Sequence, residues 1–149
     1  MVRLKVIEVA KPSESAVSMA MQYAGVSDEG QRAILESCLV RAFDVIQKCA
    51  NKALLPGRWR VTATDYAGEV RVYMGGTVEY VSGREGERIP FRQYGDTVLL
   101  SGDYAEVVFS TEVDEAEYDA LLPVVLKYAT ALYDWEDTTV LNSILKECL

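Results

Sequence analysis

The sequence predicts an α+β domain with helices toward both ends and a small antiparallel sheet in the middle. Two observations predict this fold class. Apolar residues recur at helical spacing before residue 55 and after residue 114, whereas they alternate with a period of about two between residues 58 and 112. The chain has 149 residues, of which 50% are hydrophobic, so it can form one domain with its own core.

The first third of the chain is predicted to be a strand followed by two helices. Residues 1–11 alternate basic and apolar side chains at their start, which favours an extended segment. Ser13 can cap a short helix that Gly25 ends. Ser27 can cap a longer helix that ends near Leu55. One apolar stripe runs along this longer helix: Leu35, Cys38, Leu39, Ala42, Val45, Ile46, Cys49 and Ala53.

Short strands and closely spaced turns predict the antiparallel sheet. Parallel strands need long crossovers, and the glycine-containing turns here leave no room for them. The longest polar loop, residues 82–88, contains Arg84 and Arg88 and is either simply solvated or a contact for a partner. The candidate strands are Trp59–Asp65, Glu69–Met74, Thr77–Val81, Arg88–Arg92, Thr97–Leu100 and Ala105–Ser110.

The C-terminal part, residues 114–149, is predicted to form a broad apolar helix and a short amphipathic one. Acidic residues lead into the segment Tyr118–Trp135, where regular helix is expected to start close to Pro123. Because this helix is apolar nearly all round, either its own domain or another subunit must enclose it. Thr138 or Thr139 can cap the last helix. Its apolar stripe either packs on its own domain or binds in a groove of a partner protein. That stripe is Val140, Leu141, Ile144, Leu145 and Cys148.

The charge distribution is uneven. Residues 1–60 carry nine basic and six acidic side chains, and residues 61–149 carry six and seventeen, which gives the net charge of −8. An acidic half repels phosphate backbones, which disfavours sequence-reading nucleic-acid binding. The acidity suits a surface past which nucleic acid slides, and it also simply keeps a protein soluble. No apolar run approaches the roughly 18 residues of a membrane span, and a signal-peptide pattern is missing, so we expect no membrane and a cytoplasmic origin.

Catalytic, cofactor-binding and metal sites are not expected. The sequence has no histidine, which removes Ser-His-Asp and Cys-His nucleophiles and most zinc sites. No Walker-type phosphate loop occurs. The three cysteines are odd in number, which argues against a set of disulfides. Cys38, Cys49 and Cys148 are interpreted as small buried hydrophobic residues. The carboxylate clusters at 114–119 and 134–137 are interpreted as a helix N-terminal cluster and a solvated link.

The order of the elements resembles that of the head–tail connector (adaptor) proteins of tailed bacteriophages, the small ring proteins that dock on the portal. The matching stretches are Ser27–Leu55, Trp59–Val72 and Tyr104–Trp135, roughly 70% of the chain. Among them, the segment from Ala105 to Phe109 before the Leu/Ala/Tyr-rich helix is the most telling. The N-terminal segment Met1–Lys11 and the final helix depart from the pattern.

The resemblance implies a structural, non-enzymatic phage or prophage protein of the virion neck, assembled in the bacterial host cytoplasm. Its partners would be the portal protein and a tail-completion or stopper protein, which it would join to complete the DNA-packaged head. It would form a homo-oligomeric ring in the particle, even if monomeric in isolation. Packaged DNA would pass through without sequence-specific binding, and no cofactor is implied.

Six residues are the candidates for partner binding. The segment Trp135–Leu149 is predicted to contact the portal, and the 82–88 loop to meet the next ring. Two rival interpretations stay open: a general intracellular protein-interaction module on the same α+β core, and a carboxylate-dependent enzyme, which needs a deep pocket lined by Asp and Glu. The candidate residues are Arg84, Arg88, Trp135, Leu141, Ile144 and Leu145.

Overall fold

The computed structural model describes residues 1–148 and confirms the α+β class. Leu149, the last residue of the predicted portal-contacting segment, lies outside the described residues. Within this part, the chain folds into two compact units. Met1–Ala10 and Leu55–Val113 form a β unit, and Lys11–Leu54 forms a helical unit with the residues from Asp114 onward.

The larger sheet of the β unit has four antiparallel strands. The predicted N-terminal extended segment is its edge strand, and Val2 lies opposite Ala63 in the register. Alternation along the second strand buries Trp59, Val61 and Ala63, while the residues between them stay partly exposed. In spatial order the strands are β1 (Val2–Val9), β2 (Gly57–Thr64), β7 (Tyr104–Thr111) and β4 (Thr77–Ser82).

A second, separate sheet completes the β unit, so the strands do not form one continuous sheet. Its strands are antiparallel and three residues long. The candidate strand Arg88–Arg92 is wrong, because a single bridge joins Ser82 to Arg88 and pairing resumes only at Arg92. Pro90 lies between these points and has no N–H to give to a ladder. The order of this sheet is β3 (Glu69–Arg71), β6 (Thr97–Leu99) and β5 (Arg92–Tyr94).

The first two helices of the helical unit follow the apolar pattern, but the second begins and ends at residues other than those predicted from the sequence. Helix α1 (Glu14–Ala24) is capped by Ser13 and closed by Gly25 at φ 69°, as predicted. Helix α2 (Glu29–Ala50) is capped by Asp28, whose carboxylate accepts a hydrogen bond from the Gly30 N–H; the prediction of Ser27 as cap is wrong. It ends before Leu55 because Asn51 adopts the left-handed conformation at φ 54°.

The last two helices also have different starts from those predicted. Helix α3 (Glu115–Tyr133) begins at its Asp114 cap and contains Pro123, so the proline does not mark the start of regular helix. Asp114 accepts hydrogen bonds from two N–H groups of the first turn, which stabilises that early start. Helix α4 (Thr138–Leu145) is capped by Asp137 and not by a threonine. A short 3₁₀ turn, Lys146–Cys148, follows it.

The core of the helical unit lies mainly between α2 and α3. The rings of Phe43 and Tyr118 stack with their centroids 6.0 Å apart, and the Tyr133 hydroxyl donates to the Gln31 side chain at 2.9 Å. Phe43 is fully buried although the sequence pattern omitted it from the stripe. Of the helices within residues 1–148, none has the length and apolar character that crossing a bilayer requires. Fully buried side chains of α2 and α3 include Leu35, Leu39, Ile46, Val125 and Ala129.

Candidate partner-binding surfaces

The 82–88 loop is an ordered turn that presents its arginines against aromatic rings. The Gly83 N–H donates to the Glu87 carbonyl at 2.9 Å, which closes the loop. The Arg84 guanidinium lies 4.7 Å from the centre of the Tyr104 ring, and that of Arg88 lies 3.8 Å from the centre of the Tyr80 ring. Both arginines are exposed, so their N–H groups can reach an external acceptor while the rings fix their positions.

Trp135 lies at the centre of a second surface, which we call the acidic tryptophan turn (residues 134–137). Its side chain is 93% exposed, and its backbone has φ 57°. The Trp135 N–H donates to Leu132 at 3.2 Å, and the Glu136 N–H donates to Ala131 at 2.9 Å, so backbone bonds to the end of α3 hold the turn. Its neighbours in the sequence, Asp134, Glu136 and Asp137, are acidic and exposed.

The terminal helix α4 packs on α3 with an incomplete apolar contact. Leu141, Ile144 and Leu145 lie next to one another on the helix and are only half-buried, and no residue of α4 is fully buried. The Lys127 ammonium and the Glu147 carboxylate form an ion pair at 2.8 Å beside it. The predicted stripe therefore packs within its own unit and still leaves apolar surface accessible to a partner.

Two cysteines meet where the end of the chain contacts α2. The Cys49 thiol donates to the Leu145 carbonyl at 3.8 Å. Burial, together with the charge and a hydrogen bond of the Cys49 side chain, raises the pKa of Cys148 to about 11. All three cysteines are half-buried, so they are less enclosed than the sequence interpretation supposed.

Sequence reasoning missed a third surface, which we call the cationic sheet face (Arg3, Lys5, Arg60 and Arg84). Lys5 lies directly opposite Arg60 across the β1–β2 pair, and both line a concave surface of about 360 Å³ together with Arg3, Tyr104 and Glu106. Arg84 joins them by lying over the Tyr104 ring. The alternation of residues 1–6 and 58–62 could have indicated basic faces on two strands. Their pairing, across more than fifty residues of sequence, could not be read from either segment.

The carboxylate clusters do not converge on a metal site. Within residues 1–148, no group of three or more Cys, Asp or Glu side chains is placed to hold a metal ion. Asp114 and Asp137 serve as helix caps. Glu117 pairs loosely with Lys52 at 3.9 Å, and Glu147 pairs with Lys127.

These elements define an α+β protein whose exposed arginines, tryptophan and terminal helix are its distinctive surface features. Three solved structures share its fold. A chain described as the neck of an empty GTA particle, computed with C6 symmetry, aligns with a TM-score of 0.69 and 16% identity, over 98% of this chain and 94% of that one.

The other two likenesses come from the same kind of particle. A chain from the virion of a native gene transfer agent (GTA) particle gives a TM-score of 0.62 and 16% identity, over 96% of this chain and 93% of that one. A chain from the neck of a native GTA particle, computed with C12 symmetry, gives 0.58 and 15%, over 95% and 94%. At these identities the likeness establishes a shared fold. No protein-family model and no curated protein matches the sequence.

Proposed function

We propose that this chain is a structural, non-enzymatic subunit of the neck of a phage or phage-like particle, where it acts as a head–tail connector. The observation that carries the proposal is the likeness to a chain from a GTA particle neck over 98% of this chain. That extent includes most of the N-terminal strand and the terminal helix, the two parts that departed from the sequence resemblance. Fold alone does not fix function, so the surfaces must carry the rest of the argument.

A ring of identical subunits is the proposed assembly. Two of the neck structures with this fold were computed with C6 and C12 symmetry, which supports a cyclic arrangement for this chain too. Ring subunits contact their neighbours head to tail, through two different surfaces on each copy. The 82–88 loop is the surface we assign to the tail-completion or stopper protein of the next ring, with the exposed Arg88 as its contact residue.

The terminal helix α4 is the surface we assign to the portal protein. An amphipathic helix that lays its apolar face into a groove binds through residues spaced three and four apart. Leu141, Ile144 and Leu145 have this spacing, and their half-burial leaves them available. Because no α4 residue is fully buried, exchanging its contact with α3 for a contact with a partner exposes little new apolar surface.

Negative-stain microscopy and native mass spectrometry of the full chain with a candidate portal ring test the proposal. Closed rings on the portal are expected. Persistent monomers in the presence of portal would count heavily against the connector role. Ring formation also separates this function from that of a general interaction module, which has no reason to close into a ring.

The role of α4 is tested separately by paired variants. Leu141→Asp with Ile144→Asp is expected to weaken portal binding by at least about tenfold, as for truncated anchor residues of an interface. Asn142→Asp with Ser143→Asp adds the same charge at exposed positions of the same helix and serves as the control. If deletion of residues 138–149 leaves portal binding untouched, the assignment of α4 is wrong.

A further inference from the structure

The cationic sheet face is not neutralised by its own surroundings. Its four basic side chains face one carboxylate, Glu106, which also accepts a hydrogen bond from the Tyr104 hydroxyl at 2.9 Å. Arg3, Lys5 and Arg60 make no ion pair within residues 1–148, and the Arg60 Nε is buried without a hydrogen-bond partner. Like charges held this close repel one another, and an anionic partner relieves that repulsion.

The acidic tryptophan turn has the complementary composition. Three of its four residues are exposed and acidic, and the fourth is tryptophan, in a chain that carries eight more acidic than basic residues. Asp134, Glu136 and Asp137 make no ion pair within residues 1–148. Trp135 is 93% exposed, which is exceptional for the residue type that most often anchors protein interfaces.

The backbone of the turn is fixed before any partner arrives. The hydrogen bonds of Trp135 and Glu136 to the end of α3 hold its entry, and the Asp137 carboxylate accepts from the Val140 N–H at 3.1 Å at its exit. A turn held at both ends loses little conformational entropy on binding. An aromatic side chain with two rotatable bonds adds contact area at a similarly low entropic cost.

We propose that the acidic tryptophan turn of one copy binds the cationic sheet face of a second copy. The proposal rests on the proposed ring assembly and names the two surfaces that make its head-to-tail contact. The indole lies against an arginine guanidinium of the sheet face, since planar cations bind aromatic faces. The carboxylates around it pair with the remaining cations. Each copy carries both surfaces once, so every contact leaves one of each kind for the next copy.

A second copy suits the sheet face better than nucleic acid does. Phosphate binding would use the four cations but would leave the exposed indole and the carboxylates of Asp134 and Glu136, which form no ion pair within residues 1–148, without a role. Contact between copies accounts for all of these groups together.

Quenching of Trp135 fluorescence measures the contact directly in the full chain. The sequence has two tryptophans, and Trp59 is fully buried, so added acrylamide quenches mainly Trp135. As protein concentration rises to about 1 mM at low ionic strength, we expect Trp135 emission to shift to the blue and become protected from acrylamide. About 0.5 M NaCl should reverse both changes, since it screens exposed charges.

Charge-reversal variants identify the partner surfaces. Lys5→Glu and Glu136→Lys are each expected to weaken association by about tenfold, and the double variant in one chain should recover most of that loss. Arg92→Glu makes the same change of charge at an exposed position of the other sheet and should have no effect. The variants' far-ultraviolet circular dichroism reports whether they fold.

Four outcomes overturn the inference. The first is that Trp135 stays fully quenchable at 1 mM protein, and the second is that the double variant associates no more strongly than either single variant. The third is that Arg92→Glu weakens association as much as Lys5→Glu does. The fourth is that a short DNA duplex binds in a Lys5-dependent manner while Trp135 stays exposed. The connector role itself is judged by portal binding. Portal binding by a chain whose Trp135 stays exposed would therefore reject this contact and leave the connector role standing.

Discussion

Replacing Gly76 by alanine should strain the larger sheet where its edge strand β4 begins beside β7. Gly76 follows a tight turn in which Met74 and Gly75 both have positive φ, and it leads into β4. A Cβ at this position would lie 2.3 Å from Cδ2 and 2.9 Å from Cε2 of Phe109. Ordinary carbon contacts are about 3.5 Å or longer, so the ring or the turn must move by about 1 Å.

The buried position of Phe109 determines the cost of that movement. Phe109 has no exposed surface, and its strand β7 lies between β2 and β4, so the ring cannot swing into solvent. Overpacking of this kind costs about 1–3 kcal/mol, which lowers the melting temperature by about 3–10 °C in a protein of this size. Urea denaturation followed by circular dichroism measures the change in the free energy of unfolding.

Gly83→Ala is the matched control. A Cβ there would meet the Glu87 carboxylate, the flexible end of an exposed side chain that can rotate away. We expect it to cost at most about 1 kcal/mol, because moving the Glu87 carboxylate gives up only the exposed hydrogen bond that it accepts from the Glu85 N–H at 2.9 Å. Equal stability of Gly76→Ala and the wild type, or equal losses for the two variants, would refute the reasoning.

Two further predictions concern the caps and the terminal thiol. Asp114→Ala should lower the free energy of unfolding by about 1 kcal/mol in urea denaturation, because the helix it caps, α3, contributes buried core residues. Asp137→Ala should mainly increase amide exchange within α4, because α4 contributes none. Cys148, whose pKa is raised from 9.0 to about 11, should react with iodoacetamide about tenfold more slowly than free cysteine at pH 8, because its smaller thiolate fraction outweighs the greater nucleophilicity of a more basic thiolate. Because its pKa is raised on folding, its stabilising contribution is present below pH 9 and is lost as the pH rises toward 11. Mass spectrometry of alkylated peptides checks the rate, and equal reactivity of Cys148 and free cysteine would contradict it.

The sequence predicted the elements better than it predicted their ends. Local signals sufficed where one residue type decides the conformation, as at Ser13 and Gly25 around α1. They failed where neighbouring residues can serve as the same cap: Asp28, and not Ser27, caps the start of α2, and Asn51 ends that helix before Leu55. Pro123 misled for another reason: apolar packing of α3 on both sides of it outweighs the loss of one N–H donor.

The surfaces were predictable only in part. The stripe of α4 follows from spacing alone, and Leu141, Ile144 and Leu145 lie together as expected. The roles of these residues, and of Arg84, Arg88 and Trp135, stay predictions. The cationic sheet face depends on which strands pair, and Lys5 meets Arg60 only because residues far apart in sequence form one ladder. Single-segment periodicity contains no such information.

Neither compact unit is continuous in the sequence, and this affects the order in which the chain can fold during synthesis. The β unit consists of Met1–Ala10 and Leu55–Val113. The helical unit consists of Lys11–Leu54 and the residues from Asp114 onward, so each unit interrupts the other in the sequence. At about 5–20 residues per second, synthesis of Leu55–Val113 separates α2 from α3 by roughly 3–12 seconds. During that interval the nascent chain contains α1 and α2 without α3, so the apolar face of α2 lacks the helix against which it packs. For the same reason, no simple truncation at either terminus should yield one unit intact.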